Sequence, residues 1–169
     1  MSSFAVDTFV VDTNVAVVAN GRNTHASEAC QLRCITKLQE VVNASQIVID
    51  DKGHILNEYH NRLNFNGQPG VGDFFYKHIF NNQGVLKKVR LVTITPMNSS
   101  YKEFPSAAAL NKFDNDDRKF VAAALQSNPA SVILNAVDTD WAKFHNQLAS
   151  HGVKIDYLCP CHVTPDNAN

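Results

Sequence analysis

The sequence predicts a three-layer α/β/α sandwich built on a mainly parallel five-stranded sheet, and three observations lead there. Five short apolar segments rich in β-branched residues recur along the chain, as expected of strands buried on both faces. The segments between them carry three-to-four apolar spacing and capping residues, so strand and helix alternate, which implies right-handed crossovers and a sheet covered on both sides. The 169 residues, 44% hydrophobic and 18% charged, suffice for one core and fit neither a disordered nor a fibrous chain.

In chain order, residues 4–11 read as the first strand. Ser27 caps a helix over 28–43, where Ala29, Leu32, Ile35, Leu38, Val41 and Val42 form one stripe. A second strand covers 47–49, and Asp51 is the expected cap of a helix over 52–63. Residues 64–72, rich in Asn and Gly, read as a flexible loop near the substrate path, followed by a helix over 73–81 and a strand over 89–95. A second loop spans 96–112, a helix 115–126, a strand 132–137, a helix 140–150 and the last strand 153–158. The expected division is one domain over 1–158 and a tail over 159–169.

The formal net charge of -1 provides no global attraction to a polyanion, so nucleic-acid binding must rest on local basic groups or on metal. Lys87, Lys88, Arg90, Arg62, Arg118 and Lys119 are the candidates, each weighed against an ordinary solvated charge. No basic, apolar leader and no run of about 20 apolar residues appears, so the expectation is a cytoplasmic protein without a membrane span. In that compartment Cys30, Cys34, Cys159 and Cys161 are expected as reduced thiols. Their spacing, with His162, does not fit a zinc finger. The remaining histidines, His54 and His60 beside Glu58 included, show no paired ligand spacing.

Acidic residues carry the chemical signal. The first strand delivers Asp12 at its carboxyl end, followed by Thr13 and Asn14; the fourth delivers Asp138, followed by Asp140 and Trp141. In parallel sheets ligands bind beyond the carboxyl ends of strands, near a topological switch point. Glu58 lies among apolar neighbours on the helix after the second strand. Asp117, in the cluster Asp114, Asn115, Asp116, Asp117, lies on the face that continues through Phe120, Val121 and Ala124, while Asp116 is turned about 100° away. Crowded carboxylates need protons or cations, and hard oxygen ligands suit Mg²⁺ or Mn²⁺. Such a centre supports hydrolysis of a phosphodiester.

These residues, in this order, resemble the PIN-domain nuclease family over most of the chain: Val10 to Val15 with its Asp-Thr-Asn, the helical Glu58, Asp117 ahead of an Ala-rich helix, and Asp138-x-Asp140-Trp141. The resemblance implies a PIN-like sandwich and a Mg²⁺- or Mn²⁺-dependent endoribonuclease. It implies Asp12, Glu58, Asp117 and Asp138 as catalytic metal ligands, Asp140 as an auxiliary acid and ligand, and Thr13 or Asn14 as support for the first Asp or the phosphate; Asp116 is the alternative ligand beside Asp117, and Arg62, Arg118 and Lys119 are the basic candidates toward substrate. RNA, single-stranded or structured, is the implied partner; an antitoxin or other regulatory protein and a homodimer are further possible partners. Where members of the family often carry Thr or Ser two residues before the last acid, this chain has Ala136, which shifts support for Asp138 to Asn135 or Thr139. The alternatives are a non-catalytic RNA- or protein-interaction module on the same fold and a structure-specific DNA nuclease. Trp141 and Phe144 could stack on bases, but core packing of the last helix accounts for both.

Overall fold

Alternating strand and helix signals along the sequence become alternating elements in the computed structural model, which describes residues 6–163. The first half runs β1 (Thr8–Val11), α1 (Thr13–Ala19), α2 (Glu28–Ala44), β2 (Gln46–Asp50), α3 (His54–Arg62), α4 (Val71–Asn81) and β3 (Val89–Val92). A hairpin of β4 (Pro96–Met97) and β5 (Ser100–Tyr101) follows. Then come α5 (Arg118–Gln126), β6 (Val132–Asn135), α6 (Thr139–Lys143), α7 (His145–Ser150), β7 (Lys154–Tyr157) and α8 (Pro160–Val163).

Five strands form one parallel sheet in the order β3-β2-β1-β6-β7, flanked by helices as a three-layer α/β/α sandwich. α1, α2 and α4 pack on one another, and α5 lies against β1, β2 and β6. Val10, Val11, Ile47, Val48, Ile49, Ile133 and Leu134 are all buried, because a parallel sheet covered on both faces leaves no wet side to alternate with. From β1 the chain adds β2 and β3 on one side, then returns to place β6 on the other. The order therefore reverses between β1 and β6, the place where such sheets open a ligand crevice. No helix among the described residues is long and apolar enough to cross a membrane.

Several elements depart from the sequence expectation. α1 is a helix where none was expected: Thr13 to Ala19 is rich in Val, which favours strands in isolation, yet the segment is buried against α2 and α4 and Asp12 caps its start. The cap of α3 is assisted by Asp50 instead of Asp51, with its carboxylate accepting from the backbone N–H of Lys52, His54 and Ile55. Asp51 instead accepts from the Thr93 hydroxyl. The helix expected over 140–150 breaks at Phe144 into α6 and α7. Of the first strand, residues 4 and 5 lie outside the described residues.

The segment expected as a loop over 64–72 is one only as far as residue 70, since α4 begins at Val71. Gly70 caps α4 and Gly72 lies inside it; a Cβ on Gly70 would overlap the Asn20 amide, and one on Gly72 the Ala16 carbonyl. These glycines let α4 approach α1. The cysteine expectation also fails, since Cys30 in the first turn of α2 is disulfide-bonded to Cys159 just after β7, across 129 residues of sequence. Packing brings their Cα atoms to 5.3 Å, within bonding reach, which no sequence spacing reveals. Cys34 and Cys161 remain thiols.

Candidate metal centre

At the carboxyl end of β1 the Asp12 amide donates to the Leu134 carbonyl of β6 at 3.1 Å, continuing the sheet pairing by one residue. Asp12 then turns the chain into α1, its Oδ1 accepting from the Asn14 N–H at 3.1 Å and its Oδ2 from the Trp141 indole N–H at 2.7 Å. Beyond β6, Asp138 caps α6 by accepting from the Asp140 N–H at 2.9 Å. Asp117 sits immediately before α5 and is 8% exposed. Carboxylate oxygens of Asp12, Asp117 and Asp138 all lie within 4.8 Å of one another. Three separate elements deliver them to the crevice where the strand order reverses.

Asn14 and Asn135 lock the two strand ends together. The Asn14 side-chain amide donates to Asn135 Oδ1 at 2.8 Å, and its oxygen accepts from the backbone N–H of Ala136 at 2.9 Å and of Val137. Asn135 in turn donates to the Asp138 carbonyl at 2.9 Å and accepts from its N–H. Asn14 thus shapes the turn that presents Asp138, and Asn135 gives the support that Ala136 cannot.

The electrostatics are those of acids short of counter-charge. Burial pushes the Asp12 carboxyl up to about 7; the Asn14 and Trp141 hydrogen bonds oppose it and the charges of Asp138 and Glu58 add to it. Burial, then the charges of Asp12, Asp138, Asp114 and Glu58, push Asp117 up to about 9. Asp140 is also raised, by burial and by Asp138, with Lys143 opposing. Asp117 Oδ2 is buried and has no hydrogen-bond partner. A buried carboxyl with one donorless oxygen, gathered with two more carboxylates, fits a hard divalent ion, as do the all-oxygen donors.

Glu58 borders this group without entering it. Its Oε1 accepts from the Thr13 hydroxyl at 2.6 Å and its Oε2 is paired with the Lys119 ammonium, which also donates to the Asp116 carbonyl. Lys119, considered for substrate from the sequence, is buried in this pair. Arg118 is likewise committed inward: its guanidinium donates to the carbonyls of Leu110, Asn111 and Phe113 and covers the Phe104 ring. Arg62 is exposed at the end of α3, one turn beyond Glu58. Asp116 is exposed and its amide is held by Asp114.

Trp141 is the site residue whose part the sequence hid. It packs edge-on against Phe113 in the core while its N–H reaches Asp12, and its position directly after Asp140 contains no sign of that bond. His54 packs edge-on against Tyr101 and His60 bonds the Tyr76 hydroxyl, so neither joins the acids. Cys30, Cys34 and Cys159 also gather, with two of the three joined as the disulfide. Fold and site together define an α/β sandwich with a three-carboxylate centre at its topological switch point. No protein-family model, curated protein or solved structure matches the chain.

Proposed function

We propose that this chain is a Mg²⁺- or Mn²⁺-dependent hydrolase of RNA phosphodiester bonds, an endoribonuclease. One observation carries the reading: Asp117, one of whose oxygens is buried without a hydrogen-bond partner, meets Asp12 and Asp138 at the crevice between β1 and β6, with carboxylate oxygens of the three within 4.8 Å of one another. Asp12, Asp117 and Asp138 would hold the ion, Asp140 standing beside Asp138 as an auxiliary acid. A divalent ion held there supplies a water acidic enough to act as nucleophile near neutral pH and stabilises charge on the phosphoryl oxygens. Trp141 and Asn14 aim the Asp12 carboxylate, Asn135 fixes the turn bearing Asp138, and Thr13 with Lys119 orients Glu58. The substrate class comes from the likeness of the acid pattern to PIN nucleases.

Calorimetric titration of Mn²⁺ into the wild type and Asp12→Asn, followed by incubation with a mixed RNA pool, tests the proposal. The wild type should bind the ion and cut RNA only in its presence, and Asp12→Asn should lose at least about 10³-fold in cleavage, equivalent to about 4 kcal/mol. Normal cutting by Asp12→Asn sinks the assignment. Metal binding without cleavage of any RNA favours an interaction module, and preference for flapped DNA over single-stranded RNA favours a DNA nuclease.

A further inference from the structure

We infer that the Lys119 ammonium stands where a second metal ion would sit, so that the centre takes one divalent ion per chain; this rests on the metal-centre reading above. Two-metal phosphodiester sites hold their ions about 3.5–4 Å apart, and besides any carboxylate that bridges them each ion needs further oxygen ligands. Asp12, Asp117 and Asp138 form one such set. The further acids whose charges reach the centre are Glu58, Asp114 and Asp140; Asp114 accepts from the Asp116 N–H, Glu58 is paired with Lys119, and Asp140 has Lys143 three residues on.

Glu58 is occupied at both oxygens. Thr13 donates to one, and the Lys119 ammonium is paired with the other. The lysine is itself fixed: its side chain is 10% exposed, it donates to the Asp116 carbonyl at the start of α5, and it lies 5.0 Å from the centre of the Phe120 ring. Lys119 follows Asp117 by two residues, so one element carries both a metal-binding acid and the cation that neutralises its neighbour. For a second ion to reach Glu58, this ammonium must be displaced and left buried without its partner, which strongly disfavours the exchange. Lys143 lies three residues beyond Asp140 on the short helix α6, about one turn away. Lysine is suited to this place because it is a compact charge with three donors, of which Glu58 and Asp116 take two.

Mn²⁺ stoichiometry decides the matter, read by calorimetry and by the loss of free-Mn²⁺ electron-paramagnetic-resonance signal on the intact chain. The wild type should take one ion. Lys119→Met should take two, because Glu58 is then a free carboxylate beside the first ion, and adding Glu58→Gln to Lys119→Met should return the count to one. Lys119→Arg, which keeps the cation, should stay at one. Two ions in the wild type, or one in a folded Lys119→Met, overturn the inference and leave the metal-centre reading standing. No ion in the wild type overturns that reading and the inference with it. Should Lys119→Met fail to fold, Lys119→Gln, which also removes the cation, takes its place: two ions are expected, and one ion in that folded variant overturns the inference.

Discussion

Asp73 and Asp117 are both buried carboxylates, one 0% and the other 8% exposed, and their surroundings could hardly differ more. Asp73 accepts from the Asn20 amide at 2.9 Å, the Asn64 N–H at 2.7 Å and the Gly70 N–H at 3.1 Å, and the Arg22 guanidinium stands 3.5 Å away. It ties α1, the 64–70 turn and α4 into one knot. Asp117 has an oxygen with no donor at all and two carboxylates for neighbours. A charge that is fully hydrogen-bonded belongs to the architecture, whereas one left short of donors costs stability and marks a place where a ligand is due. The glycines belong to the same knot, since Gly70 and Gly72 leave room for Asn20 and the Ala16 carbonyl of α1.

That contrast breaks most readily at Asp73. Asp73→Ala strands two backbone N–H groups and an Arg, and should cost about 3–5 kcal/mol of unfolding free energy in urea titration, with Mn²⁺ affinity little changed in the folded fraction. A variant as stable as the wild type would refute its structural assignment. Trp141→Phe keeps the ring packing but removes the donor to Asp12 Oδ2. Mn²⁺ affinity should fall about 10–100-fold, the usual effect of losing a group that orients a ligand, and unchanged affinity would show that the indole does not aim Asp12.

Asp117→Asn should act in the opposite sense on the fold. Without metal at neutral pH it should raise Tm by about 2–4 °C, corresponding to about 1 kcal/mol, while abolishing ion binding. The sign follows from linkage. Asp12 and Asp117 hold their protons in the folded chain up to about 7 and about 9, against 3.8 unfolded, so between those values the folded chain binds more protons. Their contribution to stability is therefore present below about pH 4 and is lost as pH rises toward 7 and 9. Scanning calorimetry of the metal-free protein should show Tm declining across that window, with a shallower decline in Asp117→Asn. Added Mn²⁺ should restore Tm most at the alkaline end, where ion binding displaces the fewest protons.

Much of the candidate site could be read along the chain because its acids are placed by local rules. Asp12 and Asp138 each close a short apolar run and open a helix, a pattern visible within a few residues. Asp117 was separable from Asp116 by helical phase alone, and it is the buried one. The basic residues were legible as charges but not as partners. Arg118 and Lys119 are adjacent in sequence, yet one is spent on three loop carbonyls and the other on Glu58, 61 residues earlier by number. The α1 segment gave no helix signal because its Val residues favour strands in isolation, and packing against α2 and α4 overrides that preference.

By itself, then, the sequence determined the alternation of five strands with helices, the parallel sheet that follows from it, and the delivery of acids to strand ends. Each depends on periodicity and capping, interactions that span a few residues and survive in any packing of the chain. Tertiary structure alone decided that Cys30 meets Cys159, that Trp141 reaches Asp12, and that Lys119 neutralises Glu58 while Asp117 stays unpartnered. Those outcomes depend on where distant segments come to rest against one another, and a charge or a thiol carries no mark of its partner until burial has chosen one.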